Sequence, residues 1–170
     1  MKPLRSYAFA ATLLIGVSAG SPAAETSVQS VPDKALQAML DRYADAATLF
    51  YDGKPEAVKS LWSHADDVTL SGAAGGDTAK GWNDVSSRLD WASSQFLGTN
   101  GSKTIEQIQT AVNGNFAYIV QYEHIRYHRP GQSELAKRDY RVTTIFRREP
   151  AGWRVVHRHA DTLMTRQDIK

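Results

Sequence analysis

Two imidazoles, His157 and His159, flank Arg158 in the run Gly152-Trp153-Arg154-Val155-Val156-His157-Arg158-His159, close to the end of the 170-residue sequence. Alternate residues of an extended strand share a face. If the alternation is unbroken, Trp153, Val155, His157, His159 and Asp161 therefore point the same way, and Arg141 and Thr143 share a face of the strand before. A histidine with an ordinary pKa, about 6.5, can give or take a proton near neutral pH, and an arginine beside it can polarise an oxygen. Two histidines on one face are also half of a metal site, but such a site needs three or four ligands. Beyond Asp161 and His124 the sequence offers no compact set, so no metal is expected. No Ser-His-Asp order, nucleophile elbow or phosphate-cradling glycine loop is present. His157 and His159 are the only candidates for catalysis, and no cofactor is implied.

These residues sit in the second half of the chain, where the apolar period is two. Residues 103–112, 116–128, 135–148 and 152–163 read as four long strands. Asn113-Gly114-Asn115, Arg129-Pro130-Gly131-Gln132 and Glu149-Pro150-Ala151-Gly152 supply the hairpin chemistry between them. The first half has the period of helices. Pro32 and Asp33 open a segment with Leu36, Met39, Leu40, Tyr43, Ala47 and Phe50 on one face, stopped at Asp52-Gly53. A short helix carries Val58, Leu61 and Trp62, residues 67–71 form a brief strand, and a third helix follows Gly81-Trp82 with Val85, Leu89, Trp91 and Phe96. Helices first and an antiparallel meander last make an α+β arrangement. The strand from Phe116 is apolar on both faces, whereas a sheet covered on one side alternates apolar with polar. Helices are expected on one face and a second copy of the chain on the other, a homodimer through the sheet.

Composition narrows the role. Residues 1–5 carry Lys2 and Arg5, followed by an uncharged apolar run of about 16 residues and small residues, which is the pattern of a signal peptide. The run is shorter than the roughly 20 residues a spanning helix needs. Cleavage is expected after Ala19, or as late as Ala24, leaving a polar, disordered stretch over 20–31, a domain over 32–165 and a tail over 166–170. Twenty Lys and Arg face eighteen Asp and Glu, and two of the basic residues leave with the leader, so the mature chain is charge-balanced. That argues against a nucleic-acid binder. With no cysteine, the exported fold rests on packing without disulfides. The expected location is periplasmic or secreted, with no membrane contact after cleavage.

Several features coincide along the chain: Leu61-Trp62 before Asp66-Asp67-Val68-Thr69-Leu70, Gly81-Trp82 opening a helix, Arg141-Val142-Thr143 leading to Arg147-Arg148, and the Gly152–His159 run. Together they resemble the nuclear transport factor 2-like superfamily. Within it, the SnoaL-like and ketosteroid-isomerase-like proteins and the association domain of calmodulin-dependent protein kinase II are most similar. The resemblance covers residues 32–163 and implies a cone-shaped, curved antiparallel sheet wrapped around three N-terminal helices, with a pocket at the wide end and dimerisation through the sheet. Ketosteroid isomerase needs a carboxylate base, a tyrosine and a neutral Asp. Those positions fall on Gly72, Ala46 and near Thr144 here, so that chemistry is not expected. Glu123 falls where the kinase association domain is similar in placing a pocket arginine, which implies a Glu123–Arg141 pair inside the cone.

The expected function is binding of a small, largely apolar molecule, with Glu123, Arg141, Thr143, His157 and His159 as polar contacts and Trp62, Tyr51 and Trp82 at the rim. Helix aromatics at this spacing are more often core, but some rim any cavity that a cone leaves unfilled. The alternative is a cofactor-independent isomerase, cyclase or dehydratase using a pocket histidine and Arg141.

Overall fold

The computed structural model describes residues 32–97, 100–162, 164–166 and 168. The leader and the stretch after it lie outside these residues. The elements are α1 (Lys34–Phe50), α2 (Glu56–Lys59), β1 (Thr69–Ser71), β2 (Ala79–Lys80), α3 (Trp82–Ser94), β3 (Ser102–Asn113), β4 (Phe116–His128), β5 (Leu135–Glu149) and β6 (Gly152–Asp161).

Local chemistry sets the boundaries. Asp33 caps α1 by accepting a hydrogen bond from the Leu36 amide at 2.7 Å, which satisfies one of the otherwise unpaired first-turn donors. At the other end the chain reverses through Gly53, whose φ of +80° lies in the left-handed region that favours glycine. A Cβ there would also stand 2.7 Å from the Cα of Leu97, so only glycine lets the turn that follows α3 approach this one.

Six strands form one curved sheet in the order β2-β1-β6-β5-β4-β3. All neighbours are antiparallel except β1 and β6, which run parallel with Thr69 opposite His157. The long hairpins were legible from their turn residues. The β1–β2 hairpin was visible only as a glycine-rich tip, and its parallel docking on β6 has no local signal. The inner face is closed by the helices: Leu36, Met39 and Tyr43 of α1, Trp62, and Val85 and Leu89 of α3 pack on Ile119, Phe146, Trp153 and Val155.

One irregularity decides which residues face inward. Ile145 pairs with His157, but the next residue, Phe146, pairs with Val155, leaving Val156 as an extra residue in β6. Such a bulge reverses the facing of everything beyond it. Trp153 and Val155 are therefore in the core, whereas past Val156 it is Arg158 and Ala160 that turn inward, across from Thr144 and Val142. His157 and His159 turn outward with Ile145 and Thr143. The expectation of a single face running from Trp153 to Asp161 is corrected by this extra residue.

Candidate functional site

Glu123 projects from the middle of β4 on the inner face, in register with Tyr140 of β5, and is 2% exposed. Burying a carboxylate this deeply requires compensation, and three donors provide it. The Tyr51 hydroxyl, at the C-terminal end of α1, donates to Oε2 at 2.9 Å, and Arg158 Nη2 donates to the same oxygen at 3.0 Å. Gln121, two residues earlier on the same face, donates to Oε1 at 2.8 Å. Burial pushes the Glu123 carboxyl up, but Arg158, the nearby Lys103 ammonium and the Tyr51 and Gln121 hydrogen bonds outweigh it and hold the group below the ordinary glutamate value. Tyr51 moves the opposite way: burial first, and then the adjacent carboxylate, raise its phenol well above normal. Glu123 is thus a fixed anion and Tyr51 a fixed donor. A carboxylate held below its ordinary value is a weaker proton acceptor than a free glutamate.

This cluster lies at the floor of a cavity of about 340 Å³. The walls are mostly apolar, with Phe50 from α1, Leu70 from β1, and Leu89, Trp91 and Ala92 from α3, joined by Phe96 just past its end. Edge-to-face contacts fix part of this wall: Phe96 meets Tyr51 at 4.9 Å and Tyr127 at 5.0 Å between ring centres. Polar groups enter at two further places. Arg138 of β5 donates through Nε to the Tyr127 hydroxyl at 3.1 Å. Arg88 of α3 donates to the carbonyls of Gly75 and Asp77, at 3.3 and 3.2 Å, tying down the glycine-rich connection between β1 and β2.

The residues singled out from the sequence divide between the two sides of the sheet. Glu123 and Tyr51 line the cavity. Arg141 does not pair with Glu123. It lies opposite Tyr122, on the outer face, and binds Asp161 at 2.9 Å, half exposed. Its expected place is taken by Arg158, because the bulge at Val156 turns that residue inward. Thr143 is outward beside His159. His157 Nδ1 lies 2.8 Å from the Thr69 hydroxyl across the β1–β6 ladder, and burial followed by the His159 charge lowers its pKa, favouring the neutral ring. Neither histidine borders the cavity. Trp62 is fully buried in the core and pairs through its backbone with Val155. Trp82, half-buried, stacks on His64 with ring centres 3.9 Å apart. Among the described residues, no group of three His, Asp or Glu is placed to hold a metal ion.

Arg158 and Arg138 were missed. No local signal singled out Arg158: neighbouring apolar residues such as Val155-Val156 also occur in β4, at Ile119-Val120, where the pairing with β5 runs on without an extra residue. Two of the positions at which the resemblance put the isomerase groups can be located in the structure. Gly72 lines the cavity without a side chain, and Ala46 is buried.

A family model described as a SnoaL-like domain matches residues 36–164. No curated protein matches the chain. Among solved structures, a nuclear transport factor 2-like protein with a cystatin-like fold from Novosphingobium aromaticivorans is 23% identical, with a TM-score of 0.60, covering 78% of this chain and 82% of the other. A ketosteroid isomerase-like protein from Erwinia carotovora atroseptica is 14% identical, with a TM-score of 0.61 and coverage of 77% and 95%. The S. rosetta CaMKII hub is 19% identical, with a TM-score of 0.57 and coverage of 79% and 98%. At these identities the likeness is one of fold.

Proposed function

The chain belongs to the SnoaL-like family, and we propose that it binds a small, largely apolar molecule in the cavity above Glu123 and Arg158, without ketosteroid isomerase chemistry. The observation that carries this reading is the cavity itself. It combines walls of Phe50, Leu89 and Phe96 with a few polar groups, the composition common to small-molecule sites, and its volume lies at the small end of their range. The fixed ionisation of Glu123 favours binding over proton transfer. An isomerase or dehydratase built on His157 or His159 with Arg141 would have to work on the outer face, away from the cavity, and we do not favour it.

The proposal includes assembly and location. The outer face carries exposed Ile108, Phe116 and Tyr118 beside half-buried Val120 and Ile145, an apolar patch that a second copy of the chain would cover. Export follows from the leader pattern of residues 1–19. Native mass spectrometry of the protein recovered from its producing cell tests these points together. The expected result is a dimer of chains beginning at residue 20, or as late as residue 25, retaining a small organic molecule. A strict monomer at micromolar concentration would remove the dimer, and a mass that includes residues 1–19 would remove export.

A further inference from the structure

The cavity has a charge imbalance that binding an apolar molecule does not require. Among the described residues lining it, three carry a positive charge (Arg88, Arg138 and Arg158) and one, Glu123, a negative charge. Glu123 already accepts from Tyr51, Gln121 and Arg158, so it has little to offer a ligand cation. The arginines are different. Arg88 and Arg138 donate to neutral oxygens, two backbone carbonyls and a phenol. Arg158 gives one Nη2 bond to Glu123, yet its side chain keeps 14% of its surface accessible, and it lines the cavity. Guanidinium groups carry five donors in a planar fork, so donors remain on the cavity side. Just outside the lining, Lys103 Nζ is buried with no hydrogen-bond partner among the described residues and adds to the positive field around Glu123. Charges interact more strongly among apolar walls than in bulk water.

We propose that the ligand is an amphipathic organic acid of one or two rings, its apolar body between Phe50, Leu89 and Phe96 and its carboxylate on the inner-face arginines Arg158 and Arg138. This inference rests on the binding reading above and deepens it by naming the ligand class. A carboxylate matches the arginine fork in a bidentate way and gives charge-assisted bonds that a neutral group of the same shape does not.

Three probes of one shape test it by calorimetric titration of the mature protein at pH 7: 2-naphthoate, 2-naphthamide and 2-naphthylmethylamine. The expected result is that the acid binds at least ~10-fold more tightly than the amide, the difference that one charge-assisted contact supplies, and that the amine binds most weakly. Arg138→Gln should narrow the gap between acid and amide several-fold. Because Arg158→Met alone leaves Glu123 without its counter-charge, the double variant Glu123→Gln/Arg158→Met serves for the second arginine and should lose most of the acid preference. Equal binding of acid and amide, preference for the amine, or an acid preference that survives both variants would overturn the assignment while leaving the cavity as a binding site. Failure of all three probes to bind would overturn the binding reading as well.

Discussion

Replacing Arg158 with methionine should destabilise the fold by about 3–5 kcal/mol, the usual effect of removing one partner from a buried ion pair. For a domain of this size that corresponds to a fall in melting temperature of roughly 10–20 °C. The magnitude comes from what is left behind rather than from the worth of the pair. Glu123 is 2% exposed, so without Arg158 a carboxylate remains in the interior with only Tyr51 and Gln121 to hydrogen-bond it and Lys103 as a nearby charge. Substituting both partners, Glu123→Gln with Arg158→Met, removes the two charges together and should restore most of the loss. Acid titration gives the same account a sign. The folded carboxyl has a pKa below its ordinary value of 4.5, so its contribution is fully present above that value and disappears as pH falls through the lowered folded value. Glu123→Gln should lack that part of the acid sensitivity. A single Arg158→Met variant that melts with the parent protein would show that the pair is not held as described.

The second large effect concerns the cavity. Ala92 sits on the face of α3 that lines it, half-buried. Ala92→Trp places an indole where a ligand would lie. The neutral fluorescent probe N-phenyl-1-naphthylamine should bind the parent protein with one-to-one saturation, and the variant should bind it about 100-fold more weakly. Stability should hold or rise, because the added ring buries apolar surface without displacing packed atoms. Thr143→Trp adds the same ring on the outer face and should leave probe binding unchanged. Loss of binding in the Thr143 variant and not in the Ala92 variant would move the site to the other side of the sheet.

The sequence makes the scaffold plain and the floor of the site obscure, for a physical reason. Long segments of unbroken period, such as β4, declare a strand, but β4 is apolar on both faces, and only the packing shows that Ala117, Ile119, Gln121, Glu123 and Ile125 are the inward set. Glu123 was placed at the cavity by the resemblance to the kinase association domain, and Tyr51 as one of the helix aromatics that could rim it. In β6 the inserted Val156 reverses the pattern after Val155, and everything read by strict alternation beyond it comes out inverted: His157 and His159 leave the interior and Arg158 enters it. Arg141 was carried inward by the same assumption about which residues share its face. Trp62 and Trp82 illustrate a different limit. Both lie near helices that cover the sheet, but whether an aromatic there plugs the core or borders a void depends on how neighbouring helices pack, and no short-range pattern records that. The site is thus a product of one extra residue in one strand, together with the point at which α1 and α3 stop filling the cone.

The most direct measurement is the contact between a bound probe and the methyl groups of the protein. In isotope-filtered nuclear Overhauser spectra of the labelled protein with N-phenyl-1-naphthylamine, cross-peaks are predicted from the probe's ring protons to the methyls of Val58, Leu70 and Leu89. Cross-peaks to Ile108 and Val120 of the outer face instead, with none to those three, would contradict a ligand site between the helices and the sheet.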